Sequence, residues 1–128
     1  MTNNFCSTFD NIYQEAVEEM AGSLKAIEIV LLHMIDKYTD RNNEGIVVKY
    51  FTRAKFDDDV SLGEKIRICG CDVIVHSNLS YYQIFDILQS KDLIERPRLE
   101  SWGSIWSYDW QSTRFGNSVA TECLKYFS

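Results

Sequence analysis

Two groups of side chains in the second half of the chain have the chemistry needed to contact a nucleic acid. Amide, hydroxyl and phenol groups can hydrogen-bond to base edges in the major groove. Guanidinium groups can contact phosphates or enter the minor groove. The polar side chains at the start of a predicted helix are Asn78, Ser80, Tyr81 and Gln83. The guanidinium groups belong to Arg96 and Arg98, and together these six residues form the candidate DNA-contacting set.

The four cysteines and two histidines do not follow a metal-binding pattern. Cys69 and Cys71 are separated by one glycine, whereas zinc-binding and thioredoxin-type pairs have two residues between the cysteines. In a strand both thiols would point to the same face and could serve as core side chains. We therefore predict no metal site and no other cofactor, with the thiols reduced.

Motifs that would indicate an enzyme are missing from the sequence. It contains no glycine-rich phosphate loop, no Gly-x-Ser-x-Gly and no His-Glu-x-x-His, which are patterns tied to specific catalytic geometries. Residues 1–11 lack the basic start and apolar run of a signal peptide. The longest apolar stretch, residues 27–34, is too short to span a bilayer. The expectation is a non-enzymatic cytoplasmic protein without membrane contact.

Length and charge limit the possible architectures and partners. A chain of 128 residues is long enough for one hydrophobic core, so residues 1–128 are predicted to form a single domain. Nineteen acidic and thirteen basic residues give a net charge of −6. Residues 1–60 carry eleven acids and six bases, a balance of −5, whereas residues 61–128 carry eight and seven. Because phosphate contacts need positive charge, we expect any nucleic-acid surface in the second half.

The periodicity of apolar residues predicts two helices near the N-terminus. Residues 10–21 have apolar side chains on one helical face and glutamates on the other. Residues 24–38 are apolar nearly all round, which indicates a buried helix, and Ser23 is the expected N-cap. Residues 40–45 read as a polar loop. Residues 46–54 fit both a helix and a strand, and the helix is preferred.

The second half alternates between predicted strands and helices. Residues 57–59 are expected to form a charged turn and residues 65–75 a strand. A helix at 80–90 is followed by strands at 93–96 and 105–110 around Gly103, and Thr113 is expected to cap a last helix. The three tryptophans are more typical of a core or an interface than of a base-stacking platform. This order of helix, strand, glycine-containing turn, strand and helix is the layout of a wing.

Two stretches resemble winged helix-turn-helix regulators of the MarR and PadR types. Residues 82–97, YQIFDILQSKDLIERP, resemble the recognition helix and first wing strand, where the family has Lys-Gly-Leu-Ile-Glu-Arg. Residues 110–124 resemble the Leu-Thr-x-x-Gly entry into the final helix. Asp92 stands in place of the family's glycine and Ser112 in place of its leucine. The family's scaffold helix and short turn are not visible before the recognition helix.

The resemblance, over residues 78–124, implies an α+β, winged helix-turn-helix-like domain with an N-terminal helical extension. It also implies that residues 1–22 serve dimerisation, and that the protein is a homodimeric transcriptional regulator that binds double-stranded DNA.

The alternative hypothesis is an acidic protein-binding inhibitor, such as an immunity or anti-defence protein. Its target would be a basic nuclease or another nucleic-acid-binding protein, because complementary charge speeds such association. The acidic residues that would carry these contacts are Glu15, Glu18, Glu19, Asp57, Asp58 and Asp59.

Overall fold

The computed structural model describes residues 4–59, 65–68, 71–74, 79–97 and 108–126. These residues contain both helices and short antiparallel strand pairs, so the α+β class is confirmed. In chain order the elements are α1 (Asn4–Ser23), α2 (Ala26–Lys37), β1 (Asp40–Arg41), β2 (Val47–Lys49), α3 (Arg53–Asp59), β3 (Lys65–Ile68), β4 (Cys71–Ile74), α4 (Tyr81–Ser90), β5 (Ile94–Glu95), β6 (Gln111–Ser112), α5 (Arg114–Cys123) and a 3-10 turn (Leu124–Tyr126).

The boundary between α1 and α2 differs from the prediction. Ser23 is the last residue of α1, and its hydroxyl donates to the Met20 carbonyl at 2.8 Å. The predicted Ser23 cap of the second helix is therefore wrong. The N-cap of α2 is Lys25, whose backbone N–H donates to the carboxylate of Glu28 at 2.9 Å. The glutamate at the third helical position thus accepts a hydrogen bond from the N-cap backbone N–H, which has no acceptor within the helix.

Residues 46–54 are extended at the start, where the sequence favoured a helix. β2 pairs with β1, and Phe51 exchanges two backbone hydrogen bonds with Trp110, at 2.9 and 3.1 Å. The helix begins only at Arg53, and the residues predicted as a charged turn, 57–59, belong to it. The apolar pattern of these residues fits the periodicity of a helix and that of a strand. Pairing with a distant part of the chain therefore decides which of the two forms.

The strand predicted at 65–75 is a pair of strands. β3 and β4 are antiparallel, with Lys65 opposite Ile74 and Ile68 opposite Cys71. Cys69, Gly70 and Val75 lie outside the described residues. The apolar composition predicted the extended conformation correctly but not the division into two strands.

The helix at 80–90 is confirmed, and its C-terminal turn explains one departure from the winged-helix pattern. Asp92 has φ 59°, a left-handed conformation that aspartate tolerates better than most side chains. The Asp92 N–H donates to the Gln89 carbonyl at 3.0 Å and the Leu93 N–H to the Leu88 carbonyl at 3.1 Å. This is a Schellman motif, which usually has glycine at this position. The turn therefore forms with aspartate in glycine's place.

The strands predicted at 93–96 and 105–110 are confirmed only in part. β5 pairs antiparallel with β6, with Ile94 opposite Ser112 and Glu95 opposite Gln111. The second strand lies at 111–112, later than predicted, and residues 98–107 lie outside the described part of the chain. The predicted cap of the last helix is confirmed, because the Thr113 hydroxyl accepts a hydrogen bond from the Gly116 N–H at 2.8 Å.

Aromatic side chains occupy the centre of the core. Phe51 and Phe85 are fully buried with ring centroids 6.3 Å apart, and Trp110 lies 6.0 Å from Phe85. Trp110 therefore lies in the core, one of the two settings expected for the tryptophans, whereas Trp102 and Trp106 lie outside the described residues. α2 packs against α4, α5 and β6, and α1 packs along α5. The buried α2 thus connects the helices to the β5–β6 pair.

Candidate nucleic-acid interface

The first turn of α4 holds three of the predicted DNA-contacting residues, and two of them cap the helix. The Ser80 hydroxyl accepts from the Gln83 N–H at 3.3 Å, and the Gln83 side-chain oxygen accepts from the Ser80 N–H at 2.8 Å. This capping box satisfies two backbone donors. Tyr81 is half-buried, and its ring meets Phe56 edge-on at 4.9 Å. Asn78 lies outside the described residues.

The exposed face of α4 is polar but not basic. Tyr82 is 50% exposed, and Gln83, Asp86 and Gln89 are exposed beside it. Lys91, just after the helix, lies 3.5 Å from the buried carboxylate of Glu28 on α2 and so supports helix packing. The exposed face of α4 could therefore offer hydrogen bonds to bases. Because α4 contains no lysine or arginine, any cations that contact phosphates would have to come from neighbouring elements.

Arg96 connects the end of β5 to the segment before β6. Its guanidinium lies 3.8 Å from the ring centroid of Trp110 and donates to the Asp109 carbonyl at 3.1 Å. A stacked arginine of this kind holds two strands together through both its plane and its N–H groups. Arg98, the other predicted wing arginine, lies outside the described residues.

Three lysines that sequence reasoning missed form a basic recess in the first half of the chain. The recess has a volume of about 350 Å³. Lys37 and Lys55 place their ammonium groups 4.9 and 5.4 Å from the ring centroid of Tyr38. The recess contains three lysines and one aspartate, a net charge of +2. Its lining, called the lysine recess below, is Lys37, Tyr38, Asp40, Lys49, Tyr50, Thr52 and Lys55.

No local sequence pattern could have indicated the lysine recess, because its lysines come from α2, β2 and α3. Residues 1–60 carry eleven acidic and six basic residues, so their net charge is negative. This net charge led to the expectation that nucleic-acid contacts lie in the second half of the chain. Three of those acids, Glu15, Glu18 and Glu19, are exposed on α1 and do not line the recess. Local charge density, not net charge, determines where an anion can bind.

Arg53 adds a further cation on α3, close to α4. Its guanidinium lies 4.7 Å from the ring centroid of Tyr108, which lies 5.3 Å from the Tyr82 ring of α4. A hydrogen bond with Asp57 at 3.0 Å is the main cause that raises the pKa of Arg53. Burial, followed by the hydrogen bond with Tyr82, raises the pKa of Tyr108. Both groups therefore keep their ordinary protonation state at neutral pH.

The remaining reactive groups in the described ranges include side chains of metal-binding types, the Cys123 thiol among them. No cluster of three His, Cys, Asp or Glu side chains is placed there to hold a metal ion. Burial, with a smaller effect of Glu122, raises the pKa of the Cys123 thiol, which keeps this cysteine protonated and unreactive. Among the described helices, none has the length and apolar character needed to cross a bilayer.

Comparison with known protein families, curated proteins and solved structures yielded no significant match.

Proposed function

We propose that this chain is a winged helix-turn-helix protein that binds double-stranded DNA, with α3 as the scaffold helix and α4 as the recognition helix. The observation that carries the proposal is the contact between these helices. Phe56 of α3 packs edge-on against Tyr81 of α4 with ring centroids 4.9 Å apart. The two helices thus meet at this aromatic contact although β3 and β4 separate them in sequence, so the β3–β4 hairpin would take the place of the family's short turn.

The strand pairing supports the same assignment. Phe51 pairs with Trp110, and the adjacent β6 pairs with β5. Phe51, two residues before α3, is therefore bridged to the residue that precedes β6, and β6 in turn pairs with β5. A three-stranded arrangement of this order packs against the helices in a winged helix. The binding surface would combine the polar face of α4 with the lysine recess and with Arg53 of α3, which is ion-paired with Asp57.

We expect the lysine recess to supply phosphate contacts. The double substitution Lys49→Gln/Lys55→Gln should weaken binding to a mixed-sequence DNA duplex about tenfold at low salt, because two charge-assisted contacts are lost. The slope of log K against log salt should fall by about two. Fluorescence anisotropy titrations at several salt concentrations measure both quantities.

A matched control separates a local site from general electrostatics. Lys25→Gln/Lys125→Gln removes the same charge from exposed positions outside the recess. At physiological ionic strength, where the Debye length is about 8 Å, it should leave the affinity within about twofold. Equal losses in the two variants, or no salt-dependent binding by the unsubstituted protein, would contradict the proposal. The acidic inhibitor would then be the better hypothesis, and Glu15, Glu18 and Glu19 the residues to reverse.

We further propose that α1 pairs with α1 of a second copy. Phe9 and Ile12 are 56% and 57% exposed, and Ala16 is exposed one turn further along. Their spacing of three and four residues is that of a helix-pairing seam, which a second identical helix matches. Tyr13 instead faces its own chain, with its hydroxyl 2.9 Å from that of Ser118.

Ile12→Glu is expected to raise the dimer dissociation constant at least about tenfold, since it places a charge in the apolar seam. Sedimentation equilibrium measures this change. Asn11→Glu adds the same charge at an exposed neighbouring position of α1 and should have little effect. A wild-type protein that stays monomeric at high micromolar concentration would exclude pairing through α1.

A further inference from the structure

A groove separates the β1–β2 hairpin from the β5–β6 pair and the start of α5. Its volume is about 680 Å³, within the range of small-molecule sites. Residues of β2 and its flanks form one wall, and Glu95, Gln111 and Thr113 form part of the other. This cavity is called the hairpin groove. Its lining shares Tyr50 with the lysine recess.

One wall of the hairpin groove is apolar and exposed to water. Ile46 and Val48 are 55% and 59% exposed, and Tyr50 follows them in the lining. Side chains at alternate positions of an extended segment lie on the same face, so these three form one surface. Covering it with the apolar body of a ligand would remove exposed hydrocarbon from water.

The end of the groove is cationic. Arg41 and Arg114 both line it. The Arg114 side chain packs against the hairpin turn, since a Cβ at position 45 would come within 2.5 Å of its Nη2 atom. Gly45 has φ 80°, a conformation that favours glycine. Because Gly45 has no side chain, the Arg114 guanidinium can lie against the turn, where it lines the groove.

The other polar groups of the groove leave a net positive charge. Glu95 is the acidic lining residue, and its carboxylate accepts from the Gln111 side chain at 2.8 Å. Arg41 donates to the Ser112 carbonyl. Arg114 is the first residue of α5, where the helix dipole also favours a negative charge. Two guanidinium groups and one carboxylate suit a ligand with a single negative charge.

We propose that the hairpin groove binds a small amphipathic monocarboxylate, with its carboxylate on Arg114 and its apolar body against Ile46 and Val48. The planar fork of arginine matches a carboxylate in a bidentate fashion. The inference does not depend on DNA binding, because none of the residues used here belongs to α3, α4 or the lysine recess, apart from Tyr50, which borders both cavities.

The test uses 3-phenylpropionate and its uncharged analogue 3-phenylpropionamide as probes, with isothermal titration calorimetry on the full chain. The wild-type protein should bind the acid at least about tenfold more tightly than the amide, as expected for one charge-assisted contact. Arg114→Gln should abolish this preference, and Arg114→Lys should retain part of it. Val48→Asp should weaken both probes.

Lys25→Gln, which removes an equal charge from an exposed position just before α2, is the matched control and should leave the preference unchanged. Thermal melting of each variant establishes that it is folded. The proposal fails if neither probe binds at millimolar concentration, if acid and amide bind equally, or if the folded Arg114→Gln protein keeps the preference.

Discussion

Replacing Gly116 with alanine is expected to lower the free energy of unfolding by about 3 kcal/mol, at the upper end of overpacking effects. A Cβ at this position would overlap the Leu93 carbonyl oxygen and lie 2.9 Å from its carbon. The obstacle is backbone, and the same carbonyl accepts from the Thr113 N–H at 3.1 Å. To admit the methyl group, α5 must therefore move away from β5.

Chemical denaturation monitored by circular dichroism measures this loss, and Gly22→Ala provides the control. Gly22 lies in α1, and a Cβ there would meet no atom within 4 Å. Alanine should therefore stabilise the protein by about 0.5–1 kcal/mol through helix propensity. Equal effects of the two substitutions, or a Gly116→Ala protein as stable as the wild type, would show that α5 and β5 do not approach this closely.

Asp36→Ala is expected to destabilise the protein by about 2 kcal/mol, because it leaves a buried hydroxyl without its acceptor. Ser112 is 0% exposed, and its hydroxyl donates to the Asp36 carboxylate at 2.7 Å. The Asn117 amide donates to the same carboxylate at 3.1 and 3.2 Å. This carboxylate therefore connects α2 to both β6 and α5.

A double-mutant cycle identifies the interaction itself. Asp36→Ala and Ser112→Ala should be non-additive by at least about 1 kcal/mol, because each removes the same hydrogen bond. Asp40→Ala, a matched change at an exposed aspartate, should alter stability by less than about 0.5 kcal/mol. Additive effects of the first two substitutions would mean that the Asp36–Ser112 bond contributes nothing to the fold.

The Asp36 network also explains the second departure from the winged-helix pattern. Ser112 stands where the family has leucine, and it is fully buried. Its hydroxyl donates to the Asp36 carboxylate, and its backbone N–H donates to the Thr39 hydroxyl at 3.0 Å. A buried polar side chain is tolerated when its hydrogen bonds are made. The sequence identified the departure, but the compensating residues lie far away in the chain.

Local sequence determined the elements whose signals lie within one or two turns. The apolar periodicity of α2 and α4 and the Thr113 cap of α5 act over a few residues. Such signals predict an element wherever it is placed, because the hydrogen bonds and the apolar stripe are internal to the helix. These parts of the prediction are confirmed for that reason.

Tertiary structure decided the features that depend on residues distant in sequence. Residues 46–51 are extended because Phe51 pairs with Trp110, and the same apolar pattern would also suit a helix. The lysine recess exists because α2, β2 and α3 converge, which no local spacing encodes. Apolar periodicity and capping residues specify each helix or strand locally. Local charge density and the pairing of distant strands arise only when the packed chain brings separate segments together.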